Sequence, residues 1–126
     1  MTVVLDAGAF VAIERNSREV ATVIKRELLA GRPPVTHGGV IGQVWRGGQG
    51  RQASMARFVA NVDIRALDEA LGKQAGVLLG AARARDVVDA ALVLLAEDGD
   101  EIFTSDPRDL RALARASGRH VDLIDV

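Results

Sequence analysis

Short apolar runs in this chain alternate with longer stretches in which apolar residues recur every three or four positions. The apolar runs are rich in β-branched residues and predict strands. They cover residues 2–6, 35–37, 62–67, 101–105 and 121–126. The periodic stretches predict helices. These cover residues 7–13, 17–31, 38–45, 53–59, 68–83, 86–96 and 106–116.

Strands that alternate with helices in this way predict an α/β fold with a mainly parallel sheet of about five strands. The chain has 126 residues, which is the length of one domain, and no linker or repeat interrupts it. We therefore expect a single domain over residues 1–126. Functional sites of such folds gather beyond the carboxyl ends of the strands.

Composition narrows the chemistry. The formal net charge is −1, so bulk attraction to nucleic acid is not expected, although fourteen of the sixteen basic residues are arginine. Cysteine is absent, which excludes disulfides, thiol catalysis and cysteine-based metal sites. No segment resembles a membrane span or a secretion signal, so a cytoplasmic protein with no membrane partner is expected.

Carboxylates occupy the boundaries of the predicted elements. Asp6 ends the first strand and Asp106 follows the fourth, while Asp86 and Asp89 share one face at the start of a helix. Asp109 lies one helical turn beyond Asp106. Grouped carboxylates repel one another, and a hard divalent cation such as Mg²⁺ or Mn²⁺ removes that repulsion. The pattern therefore indicates a metal site suited to phosphodiester hydrolysis.

Structural interpretations of these residues remain open. Asp86 is a natural helix N-cap, and Asp106 followed by Pro107 is another. Thr104 either orients water or phosphate at the strand end or satisfies local backbone groups. His37 is expected to be structural. Asp6 is the hardest to explain by structure alone, because it is a lone acid after an apolar run.

The chain resembles PIN-domain ribonucleases in three segments. They are VVLDAGAFVA at 3–12, DVVDAALVLLA at 86–96 and FTSDPRDL at 103–110. Within that family it is similar to the VapC-type toxins of type II toxin–antitoxin pairs. The resemblance implies a three-layer sandwich and endoribonuclease activity that depends on Mg²⁺ or Mn²⁺. It places Asp6, Asp89 and Asp106 as catalytic metal ligands, with Asp86 as a further metal-binding acid. Asp109 is a possible accessory by its position one helical turn after Asp106. It also implies a homodimer and a small VapB-like antitoxin as partner.

The chain differs from the family at one position, where the family usually has an acidic residue. Where the family usually has a Glu on the helix after the second strand, this chain has Gln43, within VIGQVWRGG. Gln43 keeps an amide oxygen but lacks the negative charge. The alternative function is therefore a catalytically weakened PIN-like module that binds RNA or protein. A phosphoryl-acceptor receiver domain is disfavoured, because the first strand lacks paired acids.

The charges are unevenly distributed along the chain. Residues 32–65 carry five arginines and a single acid, whereas residues 86–109 carry eight acids and a single arginine. A basic region beside an acidic centre suits an enzyme that acts on RNA, and Arg46 and Arg51 are the candidate phosphate contacts. The plainer interpretation is that these arginines only solvate helix faces.

Overall fold

The structure, a computed structural model, describes residues 1–126. Its strands are β1 (Val3–Leu5), β2 (Val35–His37), β3 (Asp63–Arg65), β4 (Glu101–Thr104) and β5 (Asp122–Asp125). Its helices are α1 (Ala7–Glu14), α2 (Arg18–Leu29), α3 (Gly38–Val44), α4 (Ala53–Val59), α5 (Glu69–Ala82), α6 (Val87–Leu94) and α7 (Pro107–Ser117). A short 3₁₀ turn, Gly50–Gln52, precedes α4.

All five strands are parallel, in the order β3-β2-β1-β4-β5. The register pairs Val4 with Val35 on one side and with Ile102 on the other. In this order β1 and β4 are neighbours although they lie at opposite ends of the sequence. The residues that follow these two strands, Asp6 and Ser105, therefore meet at one edge of the sheet.

The helices form two groups. Helix α1 contacts α2, α3 and α4, whereas α5, α6 and α7 contact one another. The predicted α/β fold is confirmed, as a three-layer sandwich with the sheet in the middle. The core contains β1 and most of α6, in agreement with the apolar sequences of both segments. No helix has the length and apolar character needed to cross a membrane.

Several element boundaries differ from the predictions by one to three residues. The first strand ends at Leu5, because Asp6 already caps the following helix. The predicted strand at 62–67 is reduced to Asp63–Arg65, an edge strand with every residue exposed. Helix α2 ends at Leu29, before Gly31, whose φ of +75° ends the helical turn.

Polar residues predicted to cap the starts of helices do so where a backbone amide of the first turn is free to donate. Ser17 Oγ accepts from Val20 N, and Asp68 Oδ1 accepts from Leu71 N. Each side chain satisfies one of the amides that the first helical turn leaves unpaired. The sequence thus specifies where α2 and α5 begin.

Candidate active site

Asp6 is held at the carboxyl end of β1 by two hydrogen bonds. Its Oδ1 accepts from the backbone N of Ala7 at 2.7 Å, and its Oδ2 accepts from Thr104 Oγ1 at 2.8 Å. Thr104 Oγ1 in turn accepts from the backbone N of Asp106 at 3.0 Å. Thr104 is fully buried, so this chain of bonds fixes the ends of β1 and β4 relative to one another. Thr104 therefore both satisfies a local amide and orients the Asp6 carboxylate.

Asp86 caps helix α6, as one of its two interpretations predicted. Its Oδ1 accepts from the backbone N of Val88 at 2.9 Å and of Asp89 at 3.1 Å. The cap occupies one carboxylate oxygen, and the side chain remains exposed. Capping therefore leaves the other oxygen available to a ligand, so the two roles are compatible.

Asp89 stands among the other carboxylates. Burial, followed by the negative charges of Asp86, Asp6, Asp109 and Asp106, raises the pKa of the Asp89 carboxyl from its usual 3.8 to about 7. Each of these four groups is close enough to disfavour the Asp89 charge. The fold thus brings together five acids from three separate segments of the chain. We call Asp6, Asp86, Asp89, Asp106 and Asp109 the carboxylate cluster.

Asp106 does not cap α7 through its side chain, so that interpretation is wrong. Asp106 occupies the N-cap position, but its carboxylate makes no bond to an amide of the first helical turn. A hydrogen bond with Asp106, followed by that residue's charge, raises the pKa of the Asp109 carboxyl.

His37 orients the helix that carries Asp86 and Asp89. The ring is fully buried; Nδ1 accepts from the backbone N of Gly39 at 3.0 Å, and Nε2 lies 2.9 Å from the carbonyl oxygen of Val88. Because Nδ1 accepts, Nε2 carries the hydrogen and donates it to Val88. The sequence identified His37 as structural but gave no sign of this link, whose partner is 51 residues away.

Gln43 lies in the last turn of α3, where its side chain is exposed and makes no hydrogen bond. No hydrogen bond joins it to the carboxylate cluster in this structure. Its amide is therefore free, and its predicted accessory role stays a prediction.

The two candidate phosphate contacts differ in their surroundings. The Arg46 guanidinium donates to the carbonyl oxygens of Trp45 at 2.7 Å and Gly42 at 3.2 Å, which closes the end of α3. Arg51 is exposed and makes neither an ion pair nor a side-chain hydrogen bond. Arg46 thus has a structural role that the sequence did not reveal, whereas the Arg51 guanidinium is available to a ligand.

The donor chemistry of the carboxylate cluster fits a hard divalent cation, since all of its side-chain ligand atoms are carboxylate oxygens. No three His, Asp or Glu side chains stand in an arrangement ready to hold a metal ion. The acids are neighbours rather than a closed coordination sphere, and their carboxylates would have to turn toward a cation.

Comparison with known proteins does not assign this chain to a family. No family model matches the chain, and no curated protein matches it.

Proposed function

We propose that this chain is a metal-dependent endoribonuclease of the PIN-like, VapC type, the toxin of a toxin–antitoxin pair. The observation that carries the proposal is the position of Asp89, a half-buried acid surrounded by four others. Neighbouring like charges destabilise a folded protein unless something offsets them. A bound Mg²⁺ or Mn²⁺ offsets this repulsion and lets the carboxylate cluster take part in catalysis, which gives a reason for the grouping of the acids.

Asp6, Asp86, Asp89 and Asp106 are the residues that would hold the cation. When bound, it supplies an acidified water and neutralises the charge that develops on the phosphate. Thr104 and the Ala7 amide keep the Asp6 carboxylate in one orientation, through bonds of 2.8 Å and 2.7 Å. His37 fixes the first turn of α6, so Asp89 is held on a rigid element rather than on a loop.

The partners of this proposal come from the sequence resemblance. RNA is the substrate, a small VapB-like antitoxin covers the site, and two copies of the chain form a homodimer. Each of these partners can be tested apart from the metal chemistry, because the carboxylate cluster lies within one chain.

A second candidate function is a weakened PIN-like module that binds RNA or protein. Gln43 favours it, because this exposed amide stands where the family usually supplies another acid. One negative charge fewer lowers the affinity for a divalent cation. The two candidates differ in whether the wild-type chain cuts RNA at all.

The deciding experiment is cleavage of whole-cell bacterial RNA with Mg²⁺, with Mn²⁺ and with a chelator, read by sequencing of the new ends. Wild type, Asp89→Ala and Gln43→Glu are compared. Asp122→Ala is the matched control, because Asp122 is an exposed acid on β5 outside the cluster. Discrete metal-dependent cuts by wild type and Asp122→Ala, absent with Asp89→Ala, are expected.

Cuts by Gln43→Glu alone support the weakened module instead. Equal cutting by wild type and Asp89→Ala, or cutting that survives the chelator, contradicts the assignment of the carboxylate cluster. Absence of cuts from every variant contradicts the nuclease.

A further inference from the structure

A groove runs along helix α1, away from the carboxylate cluster. Its first part is a hollow of about 440 Å³ beside Ala7, Gly8 and Ser105. Its second part, of about 640 Å³, reaches Arg51 on the 3₁₀ turn. Both hollows are lined by Val11 and Arg15, so they adjoin. We call this surface the α1 groove; it is defined by Gly8, Val11, Ala12, Arg15, Arg51 and Ser105.

The groove begins near the carboxylate cluster, although none of the five acids lines either hollow. Ala7 and Ser105 are the chain neighbours of Asp6 and Asp106, so the first hollow opens next to two of the cluster's acids. Gly8 makes this approach possible, because a Cβ at Gly8 would lie 2.6 Å from Ser105 Oγ and 2.7 Å from its backbone N. The Ser105 hydroxyl makes no hydrogen bond within the protein and stands at the start of the groove, where a ligand can reach it.

The middle of the groove is apolar and its far end is basic. Val11 and Ala12 line the first hollow, whose volume lies within the usual range for small-molecule sites. Arg15 and Arg51 line the far end; both are exposed and neither forms an ion pair or a side-chain hydrogen bond. Glu14 is the single acid of that lining, so the far end carries excess positive charge.

The length of α1 determines which phosphate the arginines contact. Asp6 and Arg15 are separated by nine residue steps along α1, which places their backbones about 13 Å apart. Arg15 lines both hollows, so it belongs to the groove and not to the carboxylate cluster. The arginines are placed for a phosphate further along the same strand, with the intervening sugar and base over the apolar middle.

We infer that the α1 groove is the binding subsite for the single-stranded RNA that flanks the cleavage point, with Arg15 and Arg51 contacting its backbone phosphate. This inference rests on the proposed ribonuclease function. The apolar middle accepts any base and gives little selectivity, whereas Ser105 faces the sugar, where the 2′-hydroxyl distinguishes RNA from DNA.

The test measures binding rather than cleavage. A fluorescent single-stranded RNA of ten nucleotides is titrated with the full chain in chelator at several salt concentrations. Arg15→Ala, Arg51→Ala and Ala12→Leu are compared with wild type. Arg26→Ala is the matched control, because Arg26 is an exposed arginine near the end of α2 that lines neither hollow. Circular dichroism establishes that each variant is folded.

We expect Arg15→Ala and Arg51→Ala each to weaken binding about tenfold, the size of a lost charge-assisted hydrogen bond. Each also reduces the slope of log K against log salt by about 0.7, since one phosphate contact is lost. Ala12→Leu fills the apolar middle and weakens binding without changing the slope. Arg26→Ala leaves both quantities unchanged.

Two results overturn the subsite while leaving the nuclease intact. In the first, Arg15→Ala binds and cleaves RNA as well as wild type does. In the second, Arg26→Ala loses as much RNA affinity as Arg15→Ala does. A polyglutamate peptide that binds as tightly as the RNA, with the same dependence on Arg15, shows that the groove takes an acidic peptide instead. A wild-type chain that neither binds nor cuts RNA overturns both proposals.

Discussion

Thr104 Oγ1 donates a 2.8 Å hydrogen bond to Asp6 Oδ2, across 98 residues of sequence. The bond joins the ends of two adjacent parallel strands and, together with the bond from the Ala7 amide, fixes the orientation of the Asp6 carboxylate. Because Thr104 is fully buried, no water replaces the hydroxyl when it is removed. This hydroxyl therefore contributes both to stability and to the geometry of the carboxylate cluster.

Thr104→Val keeps the shape of the side chain and removes both of its hydrogen bonds. We expect the free energy of unfolding to fall by about 1–3 kcal/mol, because the Asp106 amide loses its partner and the Asp6 carboxylate loses a donor. Urea unfolding measures the change. Thr104→Ser retains the hydroxyl and is expected to lose less. Equal midpoints for Thr104→Val and wild type would show that the bond contributes nothing.

Stability without metal should fall as pH rises from about 4 to 7. The folded protein keeps a proton on Asp89 until about pH 7, whereas the unfolded chain loses it near 3.8. Within that window the folded state binds more protons, so raising the pH favours unfolding. Asp89→Asn is expected to reduce this fall and to be more stable than wild type at pH 8, by about 1–2 kcal/mol after allowance for solvent around a half-buried group.

Urea unfolding of both proteins in chelator across that pH range measures the effect. Asp122→Asn is the control, since Asp122 is an exposed acid outside the cluster. Parallel pH profiles for wild type and Asp89→Asn would contradict the raised pKa.

Added Mn²⁺ should raise the melting temperature, and more at pH 8 than at pH 6. The cation competes with the proton on Asp89, whose pKa is raised to about 7, so affinity increases as that proton is lost. At a concentration one hundred times Kd the expected stabilisation is about 2.7 kcal/mol. Differential scanning calorimetry measures it. Asp89→Ala should abolish the shift while Asp122→Ala preserves it; a shift that persists in Asp89→Ala places the cation elsewhere.

Gly8→Ala should destabilise the protein by about 1–3 kcal/mol, the usual cost of forcing an extra methyl into a packed contact. The new Cβ would lie 2.7 Å from the backbone N of Ser105, which cannot turn away as a side chain can. Gly76→Ala is the matched control, because that helical glycine has open space around it and alanine favours helix there. Thermal melts of the two variants should therefore shift in opposite directions.

Two substitutions at His37 separate its two hydrogen bonds. His37→Asn retains an acceptor near the Gly39 amide, as an N-cap, but is too short to reach the Val88 carbonyl. His37→Leu loses both bonds and leaves the Gly39 amide without its side-chain partner, which costs about 1–3 kcal/mol. We expect His37→Asn to be the more stable variant but to bind Mn²⁺ more weakly than wild type, because the first turn of α6 loses its anchor. Calorimetric titration and urea unfolding measure the two effects.

Local signals in the sequence predicted the elements well. Ser17, Asp68 and Asp86 each specify a helix start through a bond to an amide within three residues. The gathering of Asp6 and Asp106 also followed from parallel strands, whose carboxyl ends share an edge. These features depend on short sequence separation or on strand direction alone.

Contacts between distant segments were not predictable. The bond from Thr104 to Asp6 depends on the register that pairs Leu5 with Phe103. No residue near either partner in the sequence predicts this register. Asp106 occupies the N-cap position of α7 as expected, but its side chain makes no bond to a helix amide. The structural role of Arg46 was hidden for a similar reason, since its carbonyl acceptors become free only when α3 ends.

The strand order also governs when the carboxylate cluster can assemble during synthesis. Strand β1 is made well before its neighbour β4, which contains residues 101–104. A ribosome that has made the first hundred residues holds a chain with Asp6, Asp86 and Asp89 but without Asp106 or the Thr104 hydroxyl. Such a nascent chain has a sheet without its central partner strand and an incomplete set of acids. A chain with the proposed activity would therefore stay inert until β4 and Asp106 have been made, which protects the RNA of the ribosome that makes it.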